Sequence, residues 1–234
     1  MTANKKVAII QPNYIPWKGY FDIIRAVDEF ILLDDVQYTQ RDWRNRNLIK
    51  TPNGLKWLSI PVVVANKQDK ILDVAIADQK WKREHWNKLV HNYSKAPFFN
   101  LYKERFEKMY LENSEYLISN INLMFIREIN KILGIDTAIS CSSYFLTTGS
   151  KTVKLLNLCK AAGANKYISG PSAKNYLDET LLLNEEIEVE WFDYTGYKEY
   201  PQLFPPFEHK VSILDLLFNA GPEAINYMKS ATAK

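Results

Sequence analysis

The sequence has little of what marks secreted, membrane-spanning or nucleic-acid-binding proteins. Its 234 residues include only two cysteines, Cys141 and Cys159, and their spacing favours neither a disulfide nor a zinc site. No apolar run approaches the roughly 18 residues that a membrane helix needs, and the run at residues 7–10 is too short for a signal-peptide core. A net charge of +3 is too small to indicate a nucleic-acid partner. We therefore expect a cytoplasmic protein with no membrane span and no nucleic-acid partner.

Charge is distributed unevenly in the second half of the chain. Residues 137–177 contain five lysines and no carboxylate, whereas residues 178–193 contain seven acids and no base. This segregation predicts either a positively charged cleft with an acidic flank or solvated helix faces that differ in charge. With 47% hydrophobic and 13% aromatic residues, the chain also has the apolar side chains that a folded core requires.

Apolar periodicity predicts alternating strands and helices. Two β-α-β units stand out, with strand, helix and strand at residues 7–10, 19–28 and 29–35 in the first and 137–145, 150–163 and 165–170 in the second. Residues 79–133 show long helical periodicity and form an insertion between the units. The pattern predicts a single α/β domain over residues 1–234, with a Rossmann-like, mainly parallel sheet. In such sheets, ligands bind at the carboxyl ends of the strands.

The loop that follows the first predicted strand, QPNYIPWKGY at residues 11–20, is the first candidate for ligand binding. Two prolines fix its backbone, and it leads into the amino terminus of a helix, where free amide groups favour an anion. A rigid turn packed by its own aromatic side chains is the alternative. We select its polar, aromatic and glycine positions as substrate-binding residues: Gln11, Asn13, Trp17, Gly19 and Tyr20.

The loop after the second predicted strand is the second candidate. It begins with Asp34 and Asp35 and concentrates three arginines in six residues, which suits a phosphate or a carboxylate. We select eight further positions, of which Asp35 is a proton acceptor and the others bind substrate: Asp35, Gln37, Tyr38, Arg41, Trp43, Arg44, Asn45 and Arg46. Arg44 and Arg46 would share a face if the segment is extended. The alternative is a loop in which the aspartates neutralise the arginines.

Two more segments carry candidate residues. His85 follows Trp81 by four positions on a predicted helix, and it is the best histidine candidate for a general base, although a lone histidine there also suits a packed core. The segment SGPSAK follows a predicted strand, where small hydroxyls, a glycine and a lysine suit an anion. Its candidate substrate-binding residues are Ser169, Gly170, Ser172 and Lys174. The GSKT segment at residues 149–152 has the wrong spacing for a P-loop and is interpreted as a helix start.

Several of these segments together resemble the WbqC-like protein family. The resemblance rests on QPNYIPWKGYFDII, FILLDDVQYTQRDWRNRNLIK, WLSIPV, YSKAPF, YISGPSAKNYLD and SILDLLFNAGPE, and it extends from about residue 7 to residue 222. It implies a role in bacterial surface-polysaccharide (O-antigen, lipopolysaccharide) biosynthesis and a nucleotide-linked amino sugar as the anionic substrate. The reaction that we predict is a transfer that forms an amide, acyl or aminoacyl, on that sugar.

A weaker likeness leaves alternatives open. The strand, loop and helix at the start resemble HxGH nucleotidylyltransferases and pantothenate synthetases, but Trp17-Lys18-Gly19-Tyr20 stands where both histidines of that motif would be. An adenylate-forming or nucleotidyl-transferring enzyme is therefore one alternative, and a non-catalytic nucleotide-sugar-binding scaffold is another. The sequence predicts no metal site. It leaves the cofactor and the oligomeric state open.

Overall fold

The computed structural model describes residues 4–230, within which nine strands and seven α-helices form. The strands are β1 (Lys6–Ile10), β2 (Glu29–Leu32), β3 (Arg46–Thr51), β4 (Gly54–Ser59), β5 (Val62–Val63), β6 (Ala75–Ile76), β7 (Ala138–Cys141), β8 (Lys166–Ser169) and β9 (Glu188–Trp191). The helices are α1 (Lys18–Arg25), α2 (Lys80–Tyr93), α3 (Phe99–Leu111), α4 (Ile118–Leu133), α5 (Lys151–Ala161), α6 (Glu179–Leu183) and α7 (Ile213–Ala220).

Five parallel strands form the central sheet in the order β7-β2-β1-β8-β9. The chain starts at β1, moves outward through β2 and β7, and then returns to the other side of β1 as β8. The order therefore reverses between β1 and β8. In an open α/β sheet, this reversal leaves a crevice at the carboxyl ends of the two strands, which is where ligands bind. The predicted α/β fold with a Rossmann-like parallel sheet is confirmed.

Alternate side chains of the central strands enter two separate cores. Val7 and Ile9 of β1 face a core that includes Leu155 and Leu158 of α5, together with side chains of α6. Ala8 faces the larger core, which α1, α2, α3, α4 and α7 build on the opposite side of the sheet. This period-two alternation is the normal consequence of strand geometry. Both faces of the sheet are thus covered, and its carboxyl edge carries the polar loops.

The predicted helical insertion around residues 79–133 forms three helices, α2, α3 and α4. Their contacts are largely aromatic: the Trp86 ring stacks on Phe99 at 6.0 Å and on Tyr110 at 6.1 Å between ring centroids. Helix α4 ends at Gly134, which adopts a left-handed φ of 64°, a conformation that glycine reaches without steric cost. The insertion forms part of the larger core.

Two strands end earlier than the sequence pattern predicts. Strand β2 stops at Leu32 and β7 stops at Cys141, whereas the predicted strands extended to residues 35 and 145. The physical reason is a set of contacts across the sheet edge, where the Asp34 N–H donates to the Ser142 hydroxyl oxygen at 3.1 Å and the Asp34 carboxylate accepts from the Ser143 N–H at 3.0 Å. The chain then forms a 3-10 turn at Ser142–Phe145. Polar groups at this edge form hydrogen bonds with one another instead of extending the backbone hydrogen bonds between β2 and β7.

The assignment of residues 1–234 to one domain stays a prediction, and residues 1–3 and 231–234 lie outside the described residues. Between residues 4 and 230, no helix combines the length and the apolar character needed to cross a membrane.

Candidate functional site

A cavity of about 410 Å³ opens at the reversal point of the sheet. We call it the cationic cavity. Residues of β1 and β8 and of the loops that follow them form one part of its wall, and the first turns of α5 form another. The polar and aromatic lining residues are Gln11, Asn13, Trp17, Tyr20, Arg44, Lys151, Lys154, Tyr167, Ser169, Ser172, Tyr176 and Tyr194.

Three cations line this cavity, namely Arg44, Lys151 and Lys154, and none of the described lining residues is an aspartate or a glutamate. Two of the cations have carboxylate partners outside the lining, since Asp42 contacts Arg44 at 3.3 Å and Asp35 contacts Lys154. No carboxylate between residues 4 and 230 forms an ion pair with Lys151. The cavity therefore favours an anionic ligand, because a low-dielectric wall strengthens its attraction to fixed cations.

Arg44 is the most constrained of the three cations. Arg44 is 9% exposed, and its guanidinium donates hydrogen bonds to the side-chain oxygens of Gln11 and Asn13. Burial lowers the pKa of Arg44, and the charge of Asp42 opposes that effect. Arginine stays protonated in proteins despite such shifts. The buried Nε atom has no hydrogen-bond partner among the described residues.

Two asparagines hold the loop after β1 in place. The side-chain amide of Asn122 donates to the carbonyl oxygen of Pro12 at 3.2 Å and to that of Arg44 at 2.8 Å. Asn47 donates to the carbonyl oxygens of Tyr14 and of the residue after it, at 3.0 and 2.9 Å. These bonds tie two loops of the cavity wall to the core. The site is therefore organised before any ligand arrives, which lowers the entropic cost of binding.

Asp34 and Asp35 follow the end of β2, and the Ser142 hydroxyl contacts both carboxylates. Asp34 is 5% exposed and accepts hydrogen bonds from the backbone and hydroxyl of Ser143 at 3.0 and 2.9 Å. Asp35 accepts from Ser142 and forms an ion pair with Lys154. The aspartates therefore do not neutralise the arginines of their own loop. Asp35 instead holds the Lys154 ammonium at the cavity wall.

No three histidine, cysteine, aspartate or glutamate side chains are clustered so that they could hold a metal ion, as far as the described residues extend. The two aspartates are occupied by serine hydroxyls and a lysine.

Of the eight residues selected in the arginine loop, only Arg44 lines the cavity. The Arg46 guanidinium packs 4.2 Å from the centre of the Trp57 ring, and Arg41 is exposed. Asn45 and Gln37 donate to backbone carbonyls, those of Ile60 at 2.8 Å and Lys67 at 2.5 Å. The predicted shared face of Arg44 and Arg46 is not formed, because the chain turns through residues 41–45 and becomes extended only at Arg46. Arg44 alone of the three arginines reaches the cavity.

Aromatic residues of the loop after β1 shape the cavity wall, whereas Tyr38 of the second loop does not line it. Tyr20 is buried, lines the cavity and donates to the carbonyl oxygen of Gln11 at 3.0 Å. Tyr38 is also buried, and burial raises its pKa to about 12. Gly19 makes the position of Trp17 possible, since a Cβ atom at residue 19 would come within 2.3 Å of the indole. Gly19, which was selected as a substrate-binding residue, is not part of the cavity lining, and its missing side chain leaves room for the Trp17 indole.

The segment after β8 contributes part of its predicted set. Ser169, Gly170 and Ser172 line the cavity, whereas Lys174 is exposed and lies 5.2 Å from the centre of the Trp191 ring. A Cβ atom at residue 170 would come within 3.3 Å of Tyr194, so glycine at this position allows that ring to reach the cavity wall. Lys174 turns away because residues 171–175 form a 3-10 turn.

His85 does not reach the cavity, and the expectation that α2 would bring it there is wrong. Its residue is 1% exposed, Nε2 lies 3.2 Å from the carbonyl oxygen of Ser59, and Nδ1 lies 2.9 Å from the Tyr14 hydroxyl. A carbonyl only accepts, so Nε2 carries the proton and Nδ1 accepts from Tyr14. Tyr110 then donates to the Tyr14 oxygen at 2.8 Å. Burial lowers the pKa of His85 to about 3, and the neutral ring belongs to the core.

Sequence reasoning missed two cations of the cavity, Lys151 and Lys154. They are three residues apart on α5 and therefore share a face. The sequence signal for these two residues was the lysine-rich segment at residues 137–177, but only some of its lysines line the cationic cavity. Lys160 pairs with Glu185, and Lys166 pairs with Glu188 at 3.2 Å. The acidic flank thus neutralises some of these lysines and leaves the first turns of α5 for the cavity.

A second hollow, of about 670 Å³, adjoins the cavity. We call it the aromatic groove. It is lined by Asn13, Pro16, Trp17, Trp43, Asn47, Tyr194, Gly196, Tyr197, His209 and Lys210. Trp43, predicted to bind substrate, lies here and is 42% exposed. Tyr194, which sequence reasoning did not select, borders both hollows.

The fold and the site together define an α/β protein with a Rossmann-like parallel sheet and a cationic ligand cavity at the reversal of its strand order. The sequence model of the WbqC-like protein family matches residues 11–227, and the chain belongs to that family. It is similar to a protein of Mycobacterium tuberculosis (strain ATCC 25618 / H37Rv) described as uncharacterized protein Rv1507c, with 48% identity over 226 residues. The match covers 96% of this chain and 98% of that relative. No solved structure matches the chain.

Proposed function

We propose that the protein is a cytoplasmic transferase of bacterial surface-polysaccharide biosynthesis, which modifies a nucleotide-linked amino sugar by forming an amide on it. The observation that carries the proposal is the cationic cavity, in which Arg44, Lys151 and Lys154 face one space and no described lining residue is acidic. Its place at the reversal of strand order is where doubly wound α/β proteins bind nucleotides. Membership in the WbqC-like family supports the pathway.

In this proposal the cations bind the phosphate groups of the substrate. Arg44 offers a rigid fork for phosphate oxygens, and its bonds to Gln11 and Asn13 fix the direction of that fork. Lys151 and Lys154 add point charges from α5. Charge-assisted contacts of this type contribute about 1.5–3 kcal/mol each.

The proposed chemistry requires one proton acceptor. The amino nitrogen of the sugar attacks the carbonyl carbon of an activated acyl or aminoacyl donor, the new C–N bond forms, and the bond to the leaving group of the donor breaks. The nitrogen loses a proton in this step. We assign that proton to Asp35, because its carboxylate contacts an ammonium of the cavity wall. His85 is not assigned this role, since the core encloses both of its ring nitrogens.

Calorimetric titration with UDP-, dTDP- and GDP-linked amino sugars and with inorganic pyrophosphate tests the binding part. We expect Arg44→Ala to weaken binding by about 1–3 kcal/mol and Lys151→Ala to weaken it by less. Lys174→Ala is the matched control, since it removes a lysine of the same segment that lies over Trp191 instead of in the cavity. Unchanged affinity in both cavity variants, or an equal loss in the control, contradicts the assignment.

Binding without catalysis is the second candidate function. The observation in its favour is that none of the described residues lining the cationic cavity is a histidine, and that the nearby Asp35 is held by Lys154 and Ser142. Mass spectrometry of nucleotide amino sugars incubated with the protein and acyl donors distinguishes the two. Saturable binding without any amide product supports a scaffold, whereas a product that disappears in Asp35→Asn supports the transferase.

A further inference from the structure

The aromatic groove and the cationic cavity share one wall, which Asn13, Trp17 and Tyr194 form. Their volumes are about 670 and 410 Å³. A single extended ligand can therefore contact both hollows across the shared wall. If its charged part lies against Arg44 and Lys154, the part attached to it enters the groove. The chemistry of the groove then identifies that second part.

Flat aromatic faces dominate the groove. The ring centroids of Trp17 lie 5.4 Å from Tyr194 and 5.7 Å from Tyr197. The Trp43 ring contacts the Trp57 ring, with 5.5 Å between centroids. Trp43 leaves 42% of its surface exposed, although the fold buries Trp81 and Trp86 almost completely. An indole held by a neighbouring indole and open to solvent offers a stacking surface for a planar ring.

The groove offers few hydrogen-bonding groups, which argues against a sugar ring as its occupant. The Asn47 amide nitrogen is occupied by the carbonyl oxygens of Tyr14 and Ile15, and its oxygen accepts from Leu48 at 2.8 Å. The Tyr197 hydroxyl donates to Asp22 at 2.6 Å. The polar side chains that are left are Asn13, His209, Lys210 and the Tyr194 hydroxyl, and Trp17 and Trp43 add one indole N–H each. A pyranose would lose water from several hydroxyls without finding enough partners, and each unpaired polar group costs affinity. A heteroaromatic base needs few partners and gains from stacking.

We propose that the aromatic groove binds the nucleobase of a nucleoside diphosphate, with the diphosphate reaching across the Asn13–Trp17 wall to Arg44 and Lys154. Trp43 stacks on the base, and no described residue that lines the groove carries a negative charge that would repel the adjoining phosphates. The proposal rests on the phosphate site of the proposed function. It adds the position and the chemical class of the group attached to the phosphates.

Calorimetry with two probes, UDP and inorganic pyrophosphate, tests it. We expect Trp43→Ala to weaken UDP binding about 10-fold, the scale of a lost base–aromatic stack, and to leave pyrophosphate binding unchanged. Trp43→Phe keeps a ring and should restore most of the UDP affinity. Tyr116→Ala is the control, because that ring is 61% exposed and lines neither the groove nor the cationic cavity. Arg44→Ala should weaken both probes.

Each outcome separates the two proposals. Equal losses for UDP and pyrophosphate in Trp43→Ala, no loss in either, or an equal loss of UDP affinity in Tyr116→Ala overturns the groove assignment. Pyrophosphate binding as tight as that of UDP, GDP and dTDP in the wild-type protein overturns it as well, while leaving the phosphate site intact. Failure of the wild-type protein to bind pyrophosphate and every nucleoside diphosphate overturns the proposed function.

Discussion

Asn13 and Tyr14 are neighbours in one loop, yet they belong to two different kinds of polar cluster. The Tyr14 hydroxyl enters the core, where His85 and Tyr110 complete its hydrogen bonds. The Asn13 side chain enters the cationic cavity and orients Arg44, whose Nε atom lacks a described partner. The comparison teaches that a buried ionisable side chain does not by itself indicate a site. A charge that lines a hollow, as Arg44 does, is the stronger indication.

The largest effect on stability should come from breaking the buried cluster of Tyr14, His85 and Tyr110. We expect His85→Ala to lower the free energy of unfolding by about 3–4 kcal/mol, because it leaves a cavity and removes the acceptor of the buried Tyr14 hydroxyl. Chemical denaturation measures the loss. His91→Ala, at an exposed position of the same helix, is the control and should cost less than about 0.5 kcal/mol. Folded His85→Ala should bind pyrophosphate as tightly as the wild type. A loss of affinity in this variant but not in His91→Ala would mean that His85 takes part in ligand binding.

The second effect is a pH dependence of stability. The pKa of His85 is about 3 in the folded protein and about 6.5 in an unfolded chain. Between these two pH values the unfolded state binds a proton at His85 and the folded state does not. The contribution of neutral His85 to the free energy of unfolding is therefore complete above pH 6.5 and is lost as the pH falls toward 3. Between pH 6.5 and 4.5 we expect a loss of about 2 kcal/mol in the wild type. Denaturation curves of His85→Gln should show a smaller loss, and parallel curves would refute the assignment.

The third effect concerns the geometry of the hydrogen-bonded group that Arg44 forms with Gln11 and Asn13. Arg44→Lys keeps the charge at the cavity but loses the fork that Gln11 and Asn13 orient. We expect nucleoside diphosphate binding to weaken by about 1–2 kcal/mol, because a lysine cannot make the paired hydrogen bonds. Calorimetry measures the change. Full affinity in this variant would mean that only charge matters at residue 44.

The smallest effect should be at the exposed cation. Lys151 has no ion-pair partner among residues 4–230, so Lys151→Ala should leave stability unchanged and weaken pyrophosphate binding by about 0.5–1 kcal/mol at low salt. The difference should shrink as salt rises, since exposed charges are screened. A loss that does not depend on salt would place Lys151 deeper in the site than the structure does.

The fold followed from the sequence more completely than the site did. Runs such as residues 7–10 and 30–33 predicted parallel strands, because strands buried on both faces consist of continuous apolar residues. The order of the strands was not predictable, since periodicity carries no information on which strand lies beside β1. The placement of the cavity at the β1–β8 junction depended on that order.

Site residues were predicted best where they follow a strand directly. Gln11 and Asn13 after β1, and Ser169, Gly170 and Ser172 at the end of β8, all line the cavity. Arg46 and Lys174 were selected for their charge, but local turns direct them onto tryptophan rings. Lys154 lies inside a helix, where the sequence indicates no ligand. Only its tertiary contact with Asp35 identifies it.

A crystal structure of the protein with UDP bound tests the central claim most directly. The account predicts that the diphosphate lies within hydrogen-bonding distance of Arg44 and Lys154 at the carboxyl ends of β1 and β8, with the uracil ring against Trp43. A diphosphate bound elsewhere on the molecule, with the cationic cavity filled only by solvent, would contradict it.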